Sequence, residues 1–250
     1  MKNKLLLVFD LDETIGYFSQ LKIIWNIIIK IKDSFDECLN EQHIFNAILN
    51  DLNELLRPNI INILKYLTYN KNNNFEIIMF TNNQGGKNWI SLINNYLESN
   101  VNKKIFDKII YPNKIKTDVI EDIRKKNHKN YDDLIKCSGS EKNTKVCFID
   151  DKTHLQMINE NVHFIKIDPY VKKIQWAILI ERINNLKIIN YNLEPFLNIL
   201  EYKIPLKYNN YVYTNDNIFD KIIYFLKKNI INKTFKKKYF NSRTLKINIQ

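Results

Sequence analysis

The sequence predicts an α/β fold, a doubly wound and mostly parallel sheet with helices on both faces. Two observations carry that expectation. Short β-branched and aromatic runs recur through the first 170 residues, each closed by a polar break. Their apolar residues are continuous rather than alternating, as in strands whose two faces are both covered. Segments of helical period lie between them, such as Ile60, Ile61, Leu64 and Leu67, then Trp89, Ile90, Ile93 and Leu97. Strand and helix therefore alternate. With 250 residues, 45% of them hydrophobic, the chain is long enough for one full-sized core.

In order along the chain, strands are expected at residues 4–9, 76–80, 108–111, 145–149 and 163–167. Residues 16–56 are too long for a simple crossover. They read as two helices, about 20–32 and 42–56, forming a small helical insertion near the mouth of any site, before Arg57-Pro58 opens the next element. After Pro169 helical period returns at Ile174, Ala177, Ile178, Ile180 and Ile183. A polar, Tyr-rich stretch follows near 202–217, and a last helix begins near Ile218. The expected division is a main domain over 1–190 and a helical, basic C-terminal extension over 191–250.

Charge is uneven. The net charge is +11, yet residues 221–250 hold nine Lys or Arg and no Asp or Glu, leaving the other 220 residues at only +2. Contact with nucleic acid or another anionic surface is therefore sought in that tail, although a chain this rich in Ile, Asn and Lys can also owe its lysines to A/T-rich codons. Three cysteines, Cys38, Cys137 and Cys147, with no C-x-x-C pair, exclude a disulfide framework and a four-thiolate metal site. The first apolar run stops at Asp10, too short for a signal-peptide core, and no later run approaches the roughly 18 apolar residues of a membrane span. The expectation is an intracellular protein, cytoplasmic or nuclear, with no membrane partner.

In an open parallel sheet, ligands sit beyond the carboxyl ends of the strands, so residues just after each apolar run are the first suspects. Strand one ends in Asp10-Leu11-Asp12-Glu13-Thr14, strand two in Thr81-Asn82-Asn83, and strand four in Asp150-Asp151. Clustered carboxylates repel one another unless a cation sits among them, and hard oxygen ligands open to water suit Mg²⁺. Mg²⁺ so held usually completes its shell with water and a substrate phosphate, which points to phosphoryl chemistry. An EF-hand loop from Asp10 fails, because Thr14, Ile15 and Leu21 stand where ligands and the turn glycine belong. Walker A and dinucleotide-binding glycine patterns are absent, and no suitably placed Ser supports a hydrolase triad.

These residues resemble motifs one, two and four of the haloacid dehalogenase (HAD) superfamily. The Asp-Leu-Asp-Glu-Thr form, Arg57-Pro58 ahead of a helix, and Asp150-Asp151 followed by Asn161 and a further strand are similar to its NLI-interacting-factor, or CTD-phosphatase-like, branch. The resemblance spans about residues 4–170. It implies Asp10 as nucleophile and Mg²⁺ ligand, and Asp12 as general acid and base with its backbone carbonyl on the metal. Thr81 would bind phosphoryl oxygens with Asn82 beside it. Asp150 would complete the metal site, with Asp151 assisting or orienting. Thr81 and Asp151 could instead cap the helices that follow them.

Motif three departs from the branch, which usually has Lys directly before Asp-Leu. This chain reads Lys129-Asn130-Tyr131-Asp132-Asp133-Leu134, with Asp132 at that place. Lys129 is the first choice for the phosphate-neutralising cation, because it precedes the short helix leading to strand four, and Lys136 is the second. Thr81-Asn82-Asn83-Gln84-Gly85 is also similar to a loop of HAD phosphatases acting on polynucleotide 3′ ends and histidinol phosphate, but those enzymes usually have Gly where Glu13 stands. Gly85-Gly86 would then simply permit a turn before Trp89. Tyr17, Phe18 and Trp25 are candidates for a pocket wall, and Cys137 and Cys147 read as buried apolar residues. The expected function is Mg²⁺-dependent hydrolysis of phosphomonoesters, preferably on protein, through an aspartyl-phosphate. A nucleic-acid 3′-end phosphatase comes second, and a weakly catalytic module binding through residues 221–250 comes third.

Overall fold

The computed structural model describes residues 4–34, 40–71, 74–112, 128–189, 191–204 and 217–230. Five parallel strands, β1 (Leu5–Phe9), β2 (Phe75–Phe80), β3 (Lys108–Ile110), β4 (Val146–Asp150) and β5 (Val162–Lys166), form one sheet in the order β3-β2-β1-β4-β5. Each expected strand is present, with ends shifted by one residue or so. The chain winds outward from β1 through β2 to β3, then returns to place β4 on the other side of β1. The direction of winding thus reverses between β1 and β4, where a crevice opens at the carboxyl ends of the strands.

The insertion is two helices, α1 (Ser19–Ser34) and α2 (Glu41–Asp51), and a 3₁₀ turn (Asn53–Leu55) where the sequence suggested α2 would continue. Asn40 starts α2 by accepting the His43 N–H on its side chain at 3.1 Å. The crossovers are α3 (Ile60–Tyr69), α4 (Gly86–Val101) and α5 (Tyr131–Ser138), and α6 (Trp176–Asn185) and α7 (Leu197–Lys203) follow the sheet. Residues 1–216 make one compact unit. The second, residues 217–250, is described only in α8 (Ile218–Ile230) and Asn217; most of the basic tail and of the Tyr-rich stretch lie outside the described residues. No helix among the described residues is long and apolar enough to cross a membrane.

All five residues of β1 are buried, as are all five of β4. Leu6 and Val8 of β1 join Ile78, Phe80, Val146 and Phe148 under Tyr131, Leu134 and Ile135 of α5. Leu7 and Phe9 point to the opposite face by strand alternation and are equally buried. Continuous apolar runs were thus a sound sign of a sheet covered on both sides.

The loop after β1 is held by a buried arginine. Arg57, 1% exposed, donates from Nε to the Thr14 carbonyl at 2.7 Å, and from Nη2 to the carbonyls of Glu13 at 2.7 Å and Asp168 at 2.6 Å. Its guanidinium lies over the Tyr170 ring, and the Tyr170 N–H donates to the Glu13 carbonyl at 2.8 Å. Glu13 itself sits at φ 56°, a left-handed conformation that a Glu adopts only under constraint. Arg57 connects this strained turn to the chain beyond β5, and a planar fork is needed to reach three carbonyls at once. Arg57→Lys should therefore lower stability by about 2–4 kcal/mol, because buried carbonyls lose charged donors. Urea unfolding would register it as a lower midpoint at unchanged slope; a stability within about 0.5 kcal/mol of wild type, that of a neutral surface change, would contradict the clamp.

Candidate active site

The crevice between β1 and β4 collects the charged residues. Register pairs Phe9 with Ile149, so Asp10 and Asp150 emerge side by side. Between them lies Lys129, whose Nζ is 2.5 Å from Asp10 Oδ1 and 2.6 Å from Asp150 Oδ2. The lysine is 1% exposed and Asp150 is 0% exposed. The rings of Phe80 and Phe148 flank the ammonium at 6.0 and 5.6 Å from their centroids, walling it off from water. Lys129 precedes Asn130, whose side chain caps α5 by accepting the Asp133 N–H at 2.7 Å, so the start of α5 sets where the lysine leaves the backbone. Lys136 is on the exposed side of α5, two turns away along the helix.

Asp151 is tied to the first motif. Its Oδ1 accepts the Thr14 hydroxyl at 3.3 Å, and its N–H donates back to Thr14 Oγ1 at 3.2 Å. It caps no helix, since the 3₁₀ turn Leu155–Met157 has no side-chain cap. Thr81 is fully buried; its Oγ1 accepts the Asn83 N–H at 3.0 Å, and α4 begins after Gly85 with no side-chain cap. The capping alternatives for both residues therefore do not describe the molecule. Asn83, rather than its neighbour Asn82, reaches the first motif: its Nδ2 donates to Asp12 Oδ1 at 3.0 Å and Oδ2 at 2.8 Å, and its Oδ1 accepts the Gly85 N–H at 2.7 Å. Asn82 lines the cavity with a buried, unpaired Oδ1. Nothing in the spacing of Thr81-Asn82-Asn83 told the two asparagines apart.

Burial dominates the electrostatics. The Asp10 carboxyl is pushed up to about 7, chiefly by loss of water and further by Asp150, against the pull of Lys129. Burial also raises Asp12, with Asn83 opposing it, and raises Asp151, with Asp150 adding repulsion. Asp150 goes the other way. Burial works against its ionisation, but His154, Lys129 and the Lys152 N–H outweigh it and hold the carboxyl below its ordinary range. His154 Nε2 lies 3.2 Å from Asp150 Oδ2. The Cys147 thiol is raised by burial alone, as suits a core residue, and Cys38 lies outside the described residues.

Asp10, Asp150 and Asp151 each offer a carboxylate oxygen, all within 4.8 Å of one another. When ionised they carry three negative charges, of which the Lys129 ammonium pairs with Asp10 and Asp150 and the more distant Lys152 offsets part of the rest, a crowding of hard oxygen donors that suits a divalent cation. The Asp12 carboxylate is not in this trio and faces Asn83. In front of the trio lies a cavity of about 370 Å³, lined by Asp10, Asp12, Asn82, Lys129 and His154 on the sheet side and by Phe18 and Lys22 on the insertion side. Phe18 thus reaches the cavity, whereas Trp25 packs edge-on against Phe45, 5.4 Å between centroids.

The raised Asp10 carboxyl has a consequence for stability. The folded protein keeps this proton up to about pH 7, whereas the unfolded chain releases it near pH 4. Between those values the folded state binds more protons, so stability falls as pH rises through the window. In chelator, Asp10→Asn removes this contribution, and its stability relative to wild type should grow from pH 5 to pH 8 by on the order of 2–4 kcal/mol. Thermal melts across that range check it; parallel curves for the two proteins would contradict a buried, protonated Asp10.

No curated protein matches the chain closely enough to suggest its role. The family model for NLI interacting factor-like phosphatases matches residues 5–196, which takes in every strand of the sheet and every residue of the crevice. The chain therefore belongs to the NLI interacting factor-like phosphatase family and is a HAD-type phosphoric monoester hydrolase.

Proposed function

We propose that this chain is a Mg²⁺-dependent phosphatase that works through an aspartyl-phosphate on Asp10 and acts on phosphorylated protein. The observation that carries the reading is the position of the Lys129 ammonium between Asp10 and Asp150, at the one edge where the sheet delivers three carboxylates. An anion entering the crevice meets a buried cation beside a carboxylate nucleophile. Asp10, Asp150 and Asp151 would hold Mg²⁺, which when bound keeps carboxylates ionised and draws charge from phosphoryl oxygens.

The remaining steps fall to side chains. Asp10 attacks phosphorus and the ester P–O bond breaks; the departing oxygen takes a proton from Asp12, which burial holds protonated to higher pH than an ordinary aspartate. Asn83 keeps the Asp12 carboxyl turned toward the cavity. Water then attacks the phosphorus of the acyl phosphate, Asp12 takes back the proton, and inorganic phosphate leaves. Lys129 neutralises charge on the phosphoryl oxygens throughout, in a site walled by Phe80 and Phe148.

A protein substrate is favoured over a nucleic-acid end by the cavity lining. The large aromatic residues of the lining, Phe18 and Trp89, are 1% and 2% exposed, which leaves neither ring open as a platform for a base, and only the half-buried His154 imidazole remains. The matched family also differs from the polynucleotide branch suggested by the Thr81–Gly85 loop. Of the nine basic residues in 221–250, only Lys221, Lys227 and Lys228 fall among the described residues, so the tail adds nothing for or against nucleic acid.

Asp10→Asn should abolish hydrolysis of an aryl phosphate, and Lys129→Ala should lower kcat/KM by about 10²-fold or more, while Lys136→Ala stays within about twofold. Activity surviving Asp10→Asn, or greater damage from Lys136→Ala, would overturn the assignment. Mg²⁺ should raise the melting temperature of the wild type more at pH 8 than at pH 5, since it binds ionised carboxylates, and Asp150→Asn should remove that rise. An equal rise in Asp150→Asn would place the cation elsewhere.

A further inference from the structure

Three ammonium groups line the cavity, those of Lys22, Lys129 and Lys152. Two are matched by carboxylates: Lys129 by Asp10 and Asp150, and Lys152 by Glu13 at 3.4 Å. Lys22 has no carboxylate partner among the described residues. Its Nζ instead lies 4.5 Å from the centroid of the Trp89 ring. We propose that Lys22 on Trp89 is a second anion subsite, which takes a phosphate or carboxylate carried beside the scissile phosphate of a phosphopeptide. The inference rests on the phosphatase reading above and names the kind of substrate it would prefer.

The subsite is built rather than incidental. Trp89 packs edge-on against Phe45, 5.5 Å between centroids at 88°, and Phe45 packs in the same way on Trp25 of α1. A Cβ on Gly85 would stand 2.4 Å from Trp89 Cδ1, so the backbone at that turn is pressed against the indole. That close approach, and not a tight turn alone, is what Gly85 permits; the left-handed φ of 79° belongs to Gly86. A ring so confined holds the ammonium in place before any ligand arrives, which lowers the ordering cost of binding an anion. Partial burial already depresses the Lys22 pKa, the sign of a charge stripped of water without compensation. An anion is the compensating group. The cavity that holds Lys22 also holds Asp10 and Lys129, so one peptide could present one anion to each end.

The test uses Asp10→Asn protein, so that ligand is not consumed, and calorimetric binding of three peptides. One carries a single phosphoserine, one carries two neighbouring phosphoserines, and one carries a phosphoserine beside two glutamates. The second and third peptides, which carry a further anion beside the phosphoserine, should bind about tenfold or more tightly than the first, as a charge-assisted hydrogen bond would give. Lys22→Gln, added to Asp10→Asn, should erase that ratio and Lys22→Arg should keep it, with thermal melts confirming both folds. Preference for the bis-phosphorylated peptide alone assigns the subsite to phosphate, and equal preference assigns it to anions generally. Equal binding of all three peptides, or a ratio that survives Lys22→Gln, overturns the inference. So does a Lys22-dependent gain seen only with a 3′-phosphorylated oligonucleotide. If wild-type protein hydrolyses none of the peptides while the Lys22-dependent ratio holds, the phosphatase reading fails and the subsite stands.

Discussion

Two carboxylates from neighbouring strands share one buried ammonium, and the rest of the molecule is arranged around that contact. Taking each of these charges out of water costs several kcal/mol, which pairing offsets only at short distance. Lys129 satisfies the condition at 2.5 and 2.6 Å because β1 and β4 lie side by side in register. Had β4 been placed at the sheet edge, Asp10 and Asp150 would be separated by at least one further strand spacing of roughly 4.8 Å, too far for one ammonium to bridge. The doubly wound order is therefore what makes the charge arrangement possible. The contact is also electrically incomplete: Asp151 joins the two carboxylates that Lys129 pairs with, and has no ammonium paired to its own carboxylate among the described residues. Burial and that residual negative charge raise Asp10 and leave the site short of a cation.

The loop that carries Asp12 depends on a second set of contacts. Arg57 gathers the carbonyls of Glu13, Thr14 and Asp168, and Thr14 in turn joins its hydroxyl to Asp151. Residues from four places in the chain thereby hold one turn whose central residue is strained. The insertion is docked by stacked edges of aromatic rings, Trp25 on Phe45 and Phe45 on Trp89. This ladder brings Lys22 of α1 to the cavity, so the insertion expected near the mouth of the site forms one of its walls. The insertion thus supplies one wall of the cavity, and the strand ends supply its cluster of carboxylates.

Among the residues of the crevice, legibility followed locality. Asp10, Asp12, Thr81, Asp150 and Asp151 were readable because each stands at or just beyond the end of a continuous apolar run, and a parallel sheet brings such positions to one edge. Lys129 and Lys136 were harder to separate, since one precedes and the other lies within the same short helix. The capping geometry at Asn130 and the exposed face of α5 distinguish them. Asn82 and Asn83 are adjacent and identical in type, and which of them reaches Asp12 depends on a turn closed by hydrogen bonds to Thr81 and Gly85. The role of Arg57 reached the sequence only as Arg-Pro ahead of a helix, because its partners are backbone carbonyls, which leave no trace in residue identity.

By itself the sequence determined the alternation of strand and helix, the strand ends and the acidic character of the residues at those ends, for all of these are written in nearest neighbours and in periods of 2 and 3.6 residues. It also determined that one family's motifs occur in order. The tertiary structure decided which strands are adjacent, which lysine is buried between the carboxylates, which asparagine holds Asp12, and that Lys22 shares a cavity with Asp10 from twelve residues away along the chain. Those outcomes rest on distances between groups far apart in sequence, and such distances exist only once the sheet has closed its register and the aromatic ladder has fixed the insertion against it.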